Sequence, residues 1–321
     1  VTRTTLTAGR LNTISWLNDN IVDWAAGGNH YSIDGSTKES NSYYAFNFDG
    51  SINTTDGQYA FIYQKLGTKG LLLKNGELLR EINRSYYFAE AYEYPAAFVT
   101  VDEVTYLIHC PKEYCRLDFE NVETGEIVTD MIGRDPTDVF HSRLEISPDG
   151  FVLMSKGWHW HPLDVAYLYD IKECLKNPKL LDEINSWLSI NAEISTANFI
   201  NKTKVLIGSG EEVFDDENIV FPPRYIAVFD IGSKQISTPV KVNGEFGNLF
   251  AIDDERAWDT YLYPKIISLK TGDIIDKDES VYSGKQNSSI VNKENLVQIV
   301  FNRDTKQLAI AGKEVIEVFT P

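Results

Sequence analysis

Arg143-Leu144-Glu145-Ile146, Ser147-Pro148-Asp149-Gly150, Phe151-Val152-Leu153-Met154-Ser155: this stretch reads as two strands folded about a tight turn. Proline presets φ, glycine takes the positive φ that a tight turn requires, and serine and aspartate hydrogen-bond to their own backbone. Two β-type runs around such a turn are a hairpin signal. The same arrangement recurs along the whole chain. Asn18-Asp19-Asn20 separates 11–16 from 21–26, and Asp56-Gly57 separates 51–53 from 59–63. Asp102-Glu103 stands between 97–101 and 104–108, and Asn201-Lys202-Thr203-Lys204 between 197–200 and 205–207. Asp253-Asp254-Glu255 and Asn302-Arg303-Asp304 complete the set, giving seven turns near 19, 56, 102, 149, 202, 254 and 304. A second hairpin follows in several copies, at Asn75-Gly76, Glu123-Thr124-Gly125, Gly232-Ser233-Lys234 and Lys270-Thr271-Gly272.

Each repeat therefore holds about four antiparallel strands, here called a, b, c and d. The 321 residues divided by seven copies give about 46 residues per copy, the size of a β-propeller blade. The last copy has three strands, ending in 315–320, and a spare β-type run at 4–8 precedes the first. The expectation is an all-β, seven-bladed propeller of four-stranded antiparallel blades. The N-terminal strand completes the last blade, and closure hides edges that would otherwise pair between molecules. No shift in composition marks a boundary, so residues 1–321 read as one domain. The first copy is the least regular, and the fourth carries an extra stretch, 173–187, whose leucines suit a short helix limited by Pro178.

Composition narrows the partners. With 30 Lys and Arg against 47 Asp and Glu, the net charge is −17, which opposes binding to nucleic-acid phosphates or an anionic membrane. The 43% hydrophobic content is enough for a sizeable core, and no run approaches the roughly 18 apolar residues of a membrane span. Three cysteines are too few for a disulfide scaffold. Cys110 and Cys115 are close enough in sequence to bridge, but three reduced thiols in a cytoplasmic protein is the plainer reading. Residues 1–10 show no signal-peptide pattern, although a leader removed before Val1 would leave the same sequence.

The chain resembles the seven-bladed propellers of the broad WD40-like, YncE-like and TolB-like superfamily. The resemblance rests on Ser147-Pro148-Asp149-Gly150 and the Asp-rich turns at equivalent places, with Tyr169-Asp170, Phe229-Asp230 and Thr271-Gly272-Asp273 at c-strand ends and c–d turns. The Gly-His and Trp-Asp pairs of WD40 repeats are absent. What the resemblance implies is a fold; it carries over no catalytic residue, because these families share no common site.

Propeller geometry sorts the loops. The a–b and c–d turns share one face, and the b–c and d–a loops share the other, around the channel mouth. The unusual residues fall in the second group, on loops of the kind that carry binding residues. These are Trp158, His159, Trp160 and His161 in one loop, and Tyr86, Tyr87, Tyr92 and Tyr94 in another. Arg134 and His141 lie in a third. Glu211, Glu212, Asp215, Asp216, Glu217 and Arg224 lie in a fourth, and Tyr261 and Tyr263 in a fifth. Tryptophan and tyrosine dominate binding hot spots, although some of these rings are expected to pack between blades instead. His159, His161 and His141 have the residue type for a zinc site, but no spacing supplies a third ligand, so no metal and no cofactor is expected. The acidic loop lacks the glycine-turned oxygen spacing of a calcium loop. Its simplest role is solvation, and its second is docking of a basic partner.

No Gly-x-Ser-x-Gly elbow, phosphate loop or HExxH motif is present, and no catalytic residue stands out. The leading expectation is a non-catalytic, protein-binding propeller, monomeric on its own, with a basic protein partner. An immunity or inhibitor protein that neutralises a basic toxin or enzyme is the narrower form. The alternatives are a hydrolase or lyase acting on a carbohydrate or peptide at the channel mouth, with histidines as acid–base groups, and a small-ligand or sugar-binding propeller.

Overall fold

The computed structural model describes residues 1–40, 42–184, 192–213 and 217–321. Seven antiparallel sheets form a ring. Blade 1 is Ser15–Leu17, Asn20–Asp23, Asn29–Ser32 and Thr37–Lys38. Blade 2 is Gly50–Asn53, Tyr59–Tyr63, Lys69–Lys74 and Glu77–Asn83. Blade 5 runs Ile194–Phe199, Lys204–Ser209 and Tyr225–Asp230, with its fourth strand in two short pieces, Gln235–Ile236 and Val240–Lys241. Blade 6 is Leu249–Ala251, Arg256–Asp259, Lys265–Ser268 and Ile274–Lys277. In blade 7, Ile299–Phe301, Leu308–Ala311 and Val315–Thr320 are completed by the N-terminal strand Thr2–Thr7, with Leu6 opposite Ile316. The ring is thus closed by hydrogen bonds between the two ends of the chain.

Besides blade 5, blades 3 and 4 depart locally from four regular strands. Blade 3 has Ala97–Val101, Val104–His109 and Asp118–Asn121, and its outer strand is reduced to a single bridge, Glu120 to Ile127. Beyond the bridge, Val128 N donates to Phe119 O at 2.9 Å, and the Thr129 hydroxyl replaces the next backbone pair, accepting from Phe119 N at 3.0 Å and donating to Asp118 at 2.7 Å. In blade 4 the first strand is broken into Val139–Phe140 and Glu145–Ile146, both paired to Val152–His159, which pairs in turn with Leu163–Asp170. The break falls at Arg143, whose φ is 43°. The Asp170 side chain accepts from Glu173 N and caps a helix, Ile171–Lys176, which stops before the Pro178–Leu181 turn. The expected helix therefore starts earlier than residue 173, and Trp187 lies outside the described residues.

Alternation along the strands places one apolar face of each blade against the next. Seven buried clusters fill the gaps between neighbouring blades, for example Val152, Met154 and Leu168 of blade 4 against Ala197, Phe199 and Ile207 of blade 5. Each buried aliphatic or aromatic side chain contributes about 1.5–3 kcal/mol, so the ring is held by many interfaces of similar kind. Side-chain amides staple the inner strands: Asn53 Nδ2 donates to Trp16 O, Asn198 Oδ1 accepts from Ala251 N, and Asn302 Nδ2 donates to Asn18 O. All three cysteines are buried and unbridged. Among the described residues no helix is long and apolar enough to cross a membrane.

One connection does not stay on its own blade. Residues 278–298, between blades 6 and 7, pass over the loop-face mouth of the channel. Ser289 N donates to Asp164 at 2.7 Å and Ser289 Oγ donates to Gly157 O at 2.9 Å, both on blade 4. Gln286 Nε2 donates to Glu93 at 2.6 Å, and Val291 N donates to Ala91 O at 2.8 Å, both before blade 3. This strap roofs the channel, beneath which a cavity of about 450 Å³ remains.

Candidate functional site

An eighth buried cluster belongs to no blade interface: Tyr92, Phe140 and Trp158, with Tyr114 packed against them. It forms the base of an aromatic mound on the loop face. Phe140 and Trp158 stack at 3.9 Å with an interplanar angle of 4°. Gly157 permits this, because a Cβ there would overlap the Phe140 carbonyl oxygen. Above that base, Trp160 meets Phe88 edge-on at 5.1 Å and Phe140 at 5.4 Å, while Tyr87 packs on Phe88 at 4.9 Å and on Tyr114 at 4.7 Å. Four chain segments, holding Tyr87 with Phe88, Tyr114, Phe140 and Trp160, thus meet on one face. Tyr86 is 85% exposed and Trp160 37%, and Tyr87 and Phe88 are exposed to a similar extent as Trp160. Rings locked by their neighbours lose little side-chain freedom on binding, which suits anchors.

The four tyrosines of the 83–95 loop separate into two pairs. Tyr86 and Tyr87 are exposed, whereas Tyr92 and Tyr94 are buried and offer no surface to a partner. The divider is Arg84, which the sequence reading overlooked. Its buried guanidinium lies 4.4 Å from the Tyr92 ring centre and 4.9 Å from that of Tyr94, and donates to Gly67 O, Ala89 O and Tyr92 O. A cation among backbone carbonyls draws the two rings over itself. Phe88 stands beside Tyr86 and Tyr87 in the aromatic loop and Tyr114 in the 109–115 loop, both among the unusual loop residues of the sequence, whereas Phe140 is a lone aromatic that carries no local signal.

Three other expected contact residues lie below the surface. Trp158 is the buried base of the mound. Arg134 is enclosed: Nε donates to both oxygens of Asp182 at 2.8 Å, and its amino groups donate to Asp118, Thr129 O and Leu117 O. It fastens the 122–138 connection rather than facing solvent. His141 is buried with Nδ1 2.9 Å from Ser155 Oγ, and burial pushes its pKa down to about 3, so it is neutral near pH 7. His159 is half-buried between Asp138 O and the Tyr167 hydroxyl, while His161 is exposed on the following turn with φ 81°. Among the described residues, no group of three His, Cys, Asp or Glu is placed to hold a metal ion.

Beside the mound, a groove of about 200 Å³ runs from Pro162 past Glu193, Glu211, Glu212 and Glu245. Arg224 answers part of this charge, with Nε donating to Glu211 at 2.7 Å; that bond, with the Glu211 charge, holds the guanidinium pKa above its ordinary value. Glu217 is exposed; Asp215 and Asp216 lie outside the described residues. Tyr261 and Tyr263 are half-buried, with the Lys265 ammonium 5.9 and 4.6 Å from their ring centres. Lys265 is itself paired with buried Asp259 at 3.2 Å. Tyr261 leans on Glu245, and its pKa is raised by burial and by that carboxylate.

The ring defines the class: a seven-bladed β-propeller, with an aromatic mound and an acidic groove on its loop face. No family model matches the chain, and no curated protein matches it. Among solved structures, a chain in a crystal structure of the mitotic checkpoint complex is similar, with a TM-score of 0.55 over 99% of this chain and 90% of that one. At 12% identity this likeness concerns architecture alone.

Proposed function

We propose that this chain is a non-catalytic binding propeller that docks a basic protein on its loop face. The observation that carries the reading is the exposed aromatic mound of Tyr86, Tyr87, Phe88 and Trp160, braced from below and bordered by carboxylates. Binding hot spots pair a rigid aromatic centre with a polar rim, and acidic rims speed encounter with basic surfaces. In its narrower form the chain is an immunity or inhibitor protein that covers a basic toxin or enzyme, a role that a net charge of −17 suits. The similar solved chain comes from a protein complex, which accords with a propeller used as a docking platform.

The test is capture from the source cell at low and high salt, using wild type, Trp160→Ala and the pair Glu211→Lys with Glu212→Lys. A stoichiometric basic partner should be retained by wild type and lost with Trp160→Ala, at a cost of about 2 kcal/mol or more in affinity. Charge reversal should flatten the salt dependence. Equal capture by all three proteins refutes the assigned face.

A further inference from the structure

Four cations line the channel cavity, Lys65, Arg143, Lys156 and Arg303, against three carboxylates, Asp49, Glu93 and Glu145, a small positive excess in a molecule of net charge −17. Lys65 faces Glu93 at 3.5 Å, and Lys156 and Arg303 share Glu145 at 2.9 and 2.8 Å. Arg143 also lines the cavity and has no carboxylate within ion-pair distance among the described residues. It donates to Asn248 Oδ1, Ser195 O and Ser289 Oγ, while its buried Nε has no partner. Asp164 and Glu93 act on it only at longer range. The residue is held at φ 43° where the first strand of blade 4 breaks. Lys156 stands close enough that burial and the Arg143 charge together lower its pKa. From blades 1 and 2, Ser15 and Ser51 line the same cavity; both are more than nine-tenths buried, and neither hydroxyl has a partner. Buried polar groups without partners are rare in native proteins; these two hydroxyls show almost no accessible surface, so each turns about its Cα–Cβ bond to meet a ligand in the cavity. The volume falls within the range of small-molecule sites.

We propose that the channel binds a small hydroxylated oxyanion, a carboxylate or a phosphate, with its charge against Arg143 and its hydroxyls toward Ser15 and Ser51. This site is separate from the loop-face docking surface. The roof formed by 278–298 shares Ser289 with it, so a bound anion and the strap stabilise each other.

The test is thermal unfolding of the whole chain in chloride at matched ionic strength, with gluconate, glucose 6-phosphate, inorganic phosphate or neutral glucose added. At about 100-fold over Kd, a ligand should raise Tm by roughly 4 °C for a chain of this size. Gluconate or glucose 6-phosphate should do so, the stronger of the two naming the acid group, and glucose should not. Ser51→Ala should weaken the hydroxylated anion and leave inorganic phosphate unchanged. Arg143→Gln should abolish the shift. Because Arg143 also supports its neighbours, the ³¹P signal of glucose 6-phosphate titrated with wild type and Ser51→Ala provides a readout independent of that variant's folding. No shift with either hydroxylated anion, or an equal shift with inorganic phosphate, overturns the proposal.

Discussion

Asp164 ties the strap to blade 4, and its titration should be legible in stability. The carboxyl is buried and accepts from Ser289 N at 2.7 Å. Burial raises its pKa to about 6 against the ordinary 3.8, with Arg143 and Ser289 acting the other way. A raised native pKa means that the native state holds the proton more tightly than the unfolded chain. The favourable contribution is complete below about pH 4 and is lost as pH rises through about 6. The gap corresponds to about 3 kcal/mol. Asp164→Asn keeps an acceptor for Ser289 N and removes the titration. Guanidinium unfolding of both proteins from pH 3.5 to 7.5 should show the variant gaining on wild type by about 3 kcal/mol, most of it between pH 4 and 6. Parallel stability curves across that window would refute the reasoning, since they would mean that Asp164 is equally easy to ionise folded and unfolded.

Arg134→Met should cost about 3–5 kcal/mol, because it leaves Asp118 and Asp182 buried without their shared cation; calorimetry at neutral pH checks it. Gly157→Ala should force Phe140 away from Trp158, costing about 1–3 kcal/mol by overpacking and altering the near-ultraviolet signal of the aromatic mound. His141 has a native pKa lowered by burial to about 3, so the unfolded chain takes up a proton first as pH falls below about 6.5. Wild type should lose stability from there downward, and His141→Gln should lose less over the same window. Equal acid slopes for the two proteins would disprove the burial of a neutral ring.

The fold was legible wherever its signal is local. Ser147-Pro148-Asp149-Gly150 makes a turn from its own side chains, with Ser147 Oγ donating to Asp149 and Gly150 at φ 79°. Neighbouring repeats needed only the same local chemistry, and the spare strand at 2–7 found the vacancy beside 315–320 because an incomplete blade leaves one edge to fill. The site was legible only in part. Tyr86 and Tyr92 sit in one loop with the same residue type, and their fates differ because Arg84 folds back beneath the second. Arg134 looks like a surface cation until Asp182, distant in sequence, closes on it.

What the chain sequence determined by itself is therefore the set of hairpins, their number and the closure of the ring, since turn residues and two-residue alternation act over a few positions. Only the tertiary structure decided which polar and aromatic residues face outward, that 278–298 roofs the channel, and that Arg143 stands in the cavity without a carboxylate partner. Those outcomes depend on pairs such as Ser289 with Asp164 and Gln286 with Glu93, brought together across the ring by blade packing that no local pattern encodes.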